Sequence, residues 1–163
     1  DPVMVATSGD RLLEKNAIDA LMAEIIPLAE VITPNVPELE LLLGESINDV
    51  TEFSSYAKAL AEKFKVSVLL KAGHLQGNTS EDILFNVKTN QVTKLSAPRI
   101  DTQNTHGTGC SLSSALASYL ARGYTLESAA QQAKTFIDGA ILAGSKYKLG
   151  KGSGPIHHFY KQE

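Results

Sequence analysis

The sequence has no tryptophan, one cysteine and two methionines, and aromatic residues make up only 6% of its 163 positions. The lone cysteine, Cys110, excludes an intrachain disulfide and a cysteine-based zinc site, and it suits a reducing cytoplasm. No apolar run approaches the ~20 residues that a spanning helix needs, so no membrane partner is expected. A basic run is also missing. Fifteen Lys and Arg stand against 18 Asp and Glu, for a formal charge of -3, which is a poor composition for holding nucleic acid. The opening residues do not read as a signal peptide. What is present is apolar enough to fold: 43% hydrophobic and 20% charged residues lie outside the disordered class. A chain of this size can bury ~70% of the surface it exposes when unfolded. One domain over residues 1–163 is expected.

Periodicity gives alternating helices and strands. Val3–Val5 reads as the end of a buried strand, followed by the polar punctuators Thr7, Ser8 and Gly9. Ala17, Ile18, Leu21, Met22, Ile25 and Ile26 share one helical face. Glu30–Thr33 is a short strand, and a helix follows in which Pro37 suits the first turn, Glu38 and Glu40 suit the N-terminal half and Gly44 is the stop. A second amphipathic helix, from about Glu52 to Phe64, turns Phe53, Tyr56, Ala57, Leu60 and Phe64 inward. Val66–Lys71 is a continuous apolar strand of the kind buried on both faces. Asp82–Val87 and Val92–Leu95 form a hairpin, a small-residue helix runs from near Cys110 to Gly123, and a longer helix follows Thr125. This alternation predicts an α/β fold with a largely parallel sheet and one added hairpin.

Four segments could carry chemistry. In Asn104-Thr105-His106-Gly107-Thr108-Gly109-Cys110-Ser111, two closely spaced glycines precede a helix. Successive N–H groups and the helix dipole can there meet a phosphate or an oxyanion, and a thiol at that position should have its thiolate favoured. The same spacing also fits an ordinary Gly-rich helix start with a small buried cysteine. No Gly-Lys-Ser/Thr follows, so this is not a Walker loop. In Thr33-Pro34-Asn35-Val36-Pro37-Glu38, Asn35 and Glu38 can point to one side, as hydrated Mg²⁺ needs. They equally suit a helix cap and its dipole complement. Asp1 precedes Pro2 as a turn residue would, and Lys71, before Ala72, Gly73 and His74, either snorkels to solvent or reaches a phosphate. His157 and His158 are adjacent, and neighbours in sequence rarely chelate one ion, so they read as surface residues.

In their order, Asp-Pro-Val-Met, Ile-Thr-Pro-Asn-x-Pro-Glu, Leu-Leu-Lys-x-Gly-His, Asn-Thr-His-Gly-Thr-Gly-Cys and Gly-Pro-x-x-His-Phe resemble the hydroxymethylpyrimidine (phosphomethylpyrimidine) kinases of thiamine biosynthesis, within the ribokinase-like superfamily. The resemblance runs from Asp1 to about Phe159 and implies a three-layer α/β/α fold. It implies ATP and Mg²⁺, phosphorylation of the pyrimidine alcohol, its monophosphate or both, a cytoplasmic setting and a homodimer. By position, Gly107, Thr108 and Gly109 would form the anion hole and Cys110 would be the base. Asn35 and Glu38 would hold Mg²⁺ and order the phosphates, with Asp1 in the same polar network. Lys71 and Lys134 would approach ATP, and Val3 would line the pyrimidine pocket.

The same cysteine block resembles one bacterial type of pyridoxal kinase, so pyridoxal is the alternative acceptor. Family members are longer, and the chain reads as their C-terminal, nucleotide-binding portion. Two other classes stay open. A non-catalytic nucleotide-binding module would keep the loop without turnover. A hydrolase or acyltransferase would use Cys110 as nucleophile and His106 as base.

Overall fold

The computed structural model describes residues 1–5, 10–73 and 78–162. Its elements run α1 (Lys15–Ala20), a π turn (Leu21–Ile25), a 3₁₀ turn (Ile26–Leu28), β1 (Val31–Ile32) and α2 (Val36–Leu43). A 3₁₀ turn (Val50–Glu52), α3 (Phe53–Phe64), β2 (Ser67–Leu70), β3 (Thr79–Asn86), β4 (Gln91–Pro98), α4 (Thr108–Ala121) and α5 (Leu126–Gly144) follow. They fall into two compact units. One is Asp1–Gln76 with Ser80–Ser96, and the other is Gly77–Thr79 with Ala97–Glu163.

The first unit holds a four-stranded sheet in the order β1-β2-β3-β4. β1 and β2 are parallel, with Val31 opposite Ser67, and α2 and α3 supply the crossover between them. β2 and β3 are antiparallel, with Val68 opposite Phe85 and Leu70 opposite Ile83. The expectation of a largely parallel sheet is therefore corrected: this sheet is mixed, and β1/β2 is its parallel pair. A parallel return needs a crossover of a dozen or more residues. Only residues 71–78 separate β2 from β3, so the chain can come back only antiparallel. The short β3–β4 connection then makes a hairpin. The expected opening strand is also corrected, since among the described residues Val5 makes only an isolated bridge to Arg11. The punctuators Thr7, Ser8 and Gly9 lie outside the described residues.

Helix α3 follows its sequence periodicity. Phe53, Ala57, Leu60 and Ala61 are buried against Val66, Val68 and Leu70 of the β2 segment and Ile83 and Phe85 of β3, with Tyr56 and Phe64 at the margin. Complete burial of a leucine such as Leu60 stabilises the fold by roughly 1.5–3 kcal/mol. All four residues of β2 are buried, as a strand covered on both faces requires. Two inward assignments fail. Ile18 and Ile26 are buried, but Ala17 in the first turn of α1 is exposed and Ile25 is 58% exposed. The π turn at Leu21–Ile25 adds a residue to the helical repeat, so the apolar face slips and Ile25 rotates into solvent.

In the second unit α4 packs on α5. Ala129, Ala130, Ala133 and Ala140 give α5 a nearly flat buried face, and Leu112 and Leu116 are the buried residues of α4. Thr125 caps α5 by accepting the Ser128 N–H at 3.3 Å.

Candidate functional site

In the first unit the site is built where β1 and β2 end. Parallel neighbours finish at the same sheet edge, where α/β proteins gather ligands. Beyond Ile32 the chain passes Thr33 and Pro34 to Asn35, which forms a parallel bridge with Lys71 just beyond β2. The Lys71 N–H donates to the Pro34 carbonyl at 2.8 Å. Asn35 is the N-cap of α2 and forms a capping box with Glu38. Its side-chain oxygen accepts the Glu38 N–H at 2.8 Å, and Glu38 Oε2 accepts the Asn35 N–H at 2.8 Å.

Both groups also reach across to the opening segment. Glu38 Oε1 accepts the Met4 N–H at 3.0 Å, and Asn35 Nδ2 donates to the Val5 carbonyl at 3.0 Å. Glu38 is 1% exposed. Asp1 lies at the same edge: Lys71 Nζ is 2.7 Å from Asp1 Oδ1 and 4.0 Å from Glu38 Oε2, and the Thr33 hydroxyl donates to Asp1 Oδ1 at 3.3 Å. Charges this deeply placed persist only when paired and hydrogen-bonded, as these are. Val3 is 43% exposed and has a φ of +49°, in the left-handed region where a β-branched residue is an outlier.

This geometry bears on Mg²⁺. An ion held by nucleotide phosphates keeps several waters and asks the protein mainly for carboxylate oxygens. The Asp1 carboxylate fits as an acceptor for such waters. Each Glu38 oxygen accepts one backbone N–H and keeps a second lone pair, so its carboxylate serves the cap and still has acceptor capacity toward the ion or its waters. Among the described residues no group of three His, Cys, Asp or Glu is arranged to hold a metal ion.

In the second unit the Gly-rich loop is held from beneath. Asn104 is buried and donates its amide to the Gly144 carbonyl at 2.7 Å and the Tyr147 carbonyl at 2.6 Å, which ties the loop to the end of α5. The His106 N–H donates to the Gly154 carbonyl at 3.0 Å, and the Ile156 N–H donates back to His106 at 3.4 Å. Gly154 leaves no room for a side chain, since a Cβ there would run into the Asn104 amide.

Gly107, with φ +87°, turns the chain into α4. Thr108 N–H is taken up by the Thr105 carbonyl at 3.2 Å and Ser111 N–H by the Gly107 carbonyl at 3.0 Å. Between them, the N–H groups of Gly109 and Cys110 have no acceptor among the described residues. They sit at the positive end of a 14-residue helix. The Cys110 side chain is exposed, so the alternative of a buried apolar cysteine is corrected.

Lys134 lies buried on α5, 3.2 Å from Asp138 Oδ1 one turn on. The expected histidine tail has more structure than its sequence suggests. His158 is exposed but its Nε2 is 2.7 Å from the Ser111 hydroxyl, and the His157 ring is half-buried against Tyr147 at 5.6 Å. His106 is exposed, and no hydrogen bond joins its ring to Cys110 among the described residues. His74 lies outside the described residues.

Three contacts here have no signal in the sequence, because each joins residues 34 or more positions apart: Glu38 to Met4, Asn104 to the end of α5, and Ser111 to His158. No helix among the described residues is long and apolar enough to cross a membrane.

A family model described as phosphomethylpyrimidine kinase matches residues 1–157. A hydroxymethylpyrimidine/phosphomethylpyrimidine kinase of Rhizobium meliloti is 45% identical over 99% of this chain and 60% of its own length. The chain therefore spans about three-fifths of that curated relative. Among solved structures, an ADP complex of Bacillus subtilis pyridoxal kinase is 32% identical, with a TM-score of 0.86 over 99% of this chain and 60% of its own. A phosphomethylpyrimidine kinase of Clostridium difficile is 37% identical, with a TM-score of 0.70 over 86% and 55%.

Proposed function

The chain belongs to the phosphomethylpyrimidine kinase family, and on that premise we propose that it carries the nucleotide-binding portion of a kinase. That kinase moves the γ-phosphoryl group of ATP onto a hydroxymethylpyrimidine, its monophosphate or both, in thiamine biosynthesis. The observation that carries the reading is the start of α4, where two N–H groups without acceptors stand beside an exposed thiol. Phosphoryl transfer depends on positioning and charge stabilisation more than on covalent chemistry, and oriented N–H groups at a helix N-terminus provide both.

In this reading Gly107, Thr108 and Gly109 hold the transferring phosphoryl group. Cys110 takes the proton of the hydroxymethyl group as its oxygen attacks phosphorus. Lys71 and Lys134 add positive charge near the nucleotide phosphates, and Asn35 keeps α2 in register with them. Mg²⁺, when bound, neutralises charge building on the β- and γ-phosphates. Asp1 accepts hydrogen bonds from its waters, and Val3 lines the pocket for the pyrimidine. We place the whole in a ribokinase-like three-layer architecture, in a homodimeric cytoplasmic enzyme; the single cysteine supports the reducing compartment.

Pyridoxal is the second acceptor to test, because the likeness to a solved pyridoxal kinase has a TM-score of 0.86. The deciding experiment is Mg²⁺-dependent ADP formation from ATP with hydroxymethylpyrimidine, its monophosphate and pyridoxal in turn. Turnover with a pyrimidine supports the first reading, and turnover with pyridoxal alone replaces it. ADP binding without turnover on any alcohol assigns the chain a nucleotide-binding role only.

A further inference from the structure

Glu38 and Asn35 are tied to the opening segment as firmly as to their own helix. Each makes one bond that caps α2 and a second that crosses to a residue thirty or more positions away, Met4 for Glu38 and Val5 for Asn35. On the other side of Val3, Asp1 is held by Lys71 and Thr33. Val3 is thus pinned from both flanks, and it is the residue with the left-handed φ of +49°. A valine holds that conformation only where its surroundings over-determine it, and strained residues of this kind cluster at ligand contacts. A helix cap alone would need neither the Met4 bond nor the Val5 bond.

We infer that Glu38, with Asn35, is a positioning residue: it clasps Met4 and Val5 so that Val3 is presented in its left-handed conformation beside Asp1. The clasp itself stands on hydrogen bonds alone. Its consequence for the acceptor rests on the reading above that Val3 lines the pyrimidine pocket. Glu38→Gln is the sharp variant, because the amide offers one oxygen where two N–H groups need acceptors and sets an N–H₂ against the other. Asn35→Ser is the companion. Serine keeps a preferred N-cap but has no amide to hold the Val5 carbonyl.

The test is backbone amide hydrogen exchange, measured without nucleotide or metal, with the buried Leu69 amide of β2 as internal control. In Glu38→Gln the Met4 amide should exchange at least ~10-fold faster, with Leu69 unchanged. In Asn35→Ser the Leu12 amide, which donates to the Met4 carbonyl at 2.9 Å, should do the same. Should Glu38→Gln not fold, the Asn35→Ser result decides alone. Unchanged exchange at Met4 and Leu12 in folded variants overturns the clasp, as does a Mg²⁺ midpoint that shifts in Glu38→Gln while Met4 stays protected. In the kinase assay the clasp predicts a raised KM for the acceptor. Faster exchange without that KM change keeps the clasp and removes Val3 from the acceptor pocket.

Discussion

Gly107 and Gly44 form a matched pair of backbone probes, and replacing each by alanine separates folding from binding. Gly107 has φ +87° at the N-cap of α4, and Gly44 has φ +83° at the C-cap of α2. In both places an added Cβ meets nothing within 4 Å, so packing is untouched and only the left-handed backbone is penalised. That penalty is about 1–2 kcal/mol for an L-residue. At ~2–4 °C per kcal/mol for a chain of this length, each variant should melt roughly 2–8 °C lower than the parent.

The two should part company on a non-hydrolysable ATP analogue, which carries the γ-phosphate this loop would hold. If alanine swings Gly107 out of its turn, the N–H groups of Gly109 and Cys110 lose their aim. A hydrogen bond to a charged group contributes about 1.5–3 kcal/mol, so losing one weakens binding of the analogue by roughly 10- to 100-fold. Gly44→Ala should bind the analogue as the parent does. Calorimetric titration of the analogue beside thermal melts of both variants measures each quantity. Equal loss of affinity in both variants would refute the local argument, and a destabilised Gly107→Ala with parental affinity would remove the loop from the nucleotide site.

The remaining outcomes are more compact. Cys110→Ala should leave stability within about 0.5 kcal/mol, since the side chain is exposed. It should lower kcat by ~10²-fold or more, and parental turnover would end the base assignment. Gly154→Ala should drive the Asn104 amide off the Gly144 and Tyr147 carbonyls, costing about 1–3 kcal/mol in denaturant melts. Affinity for a non-hydrolysable ATP analogue should fall with it, and an unchanged melt would mean that the tail yields freely. Asp49, whose carboxylate accepts the Thr51 hydroxyl at 2.6 Å and N–H at 2.8 Å, is held below its ordinary 3.8 by those two bonds. A lowered carboxylate contributes stability above the unfolded value and loses it as pH falls through the folded one. Asp49→Asn should therefore lower stability slightly at neutral pH, change little at the lowest pH and so flatten the acid limb below about pH 4, as denaturant midpoints against pH will read.

The features legible in the residues are those set by short-range forces. The 3.6-residue spacing of Phe53, Ala57 and Leu60 marks a buried helix face wherever the helix packs. Pro37 and Gly44 bound α2 because one lacks a donor and the other reaches a left-handed φ, and Asn35 with Glu38 is a capping signature read within four positions. The loop from Asn104 to Ser111 was recognisable for the same reason, since its glycines and its helix start act on their own neighbours. The sheet was misjudged because strand direction is decided by which partner a strand meets and how much chain is left to return, and β2 had too little for a parallel neighbour. Ile25 was misjudged because one π turn, invisible to a fixed period, shifts every later residue around the axis.

The second bonds of Glu38 and Asn35, the meeting of Lys71 with Asp1, and the grip of Asn104 on the end of α5 join residues 30 to 70 positions apart. Sequence alone supplied each of these groups and its local preference. The tertiary structure chose the partners, because a buried donor or charge must be satisfied by whatever group the packed chain brings within about 3 Å.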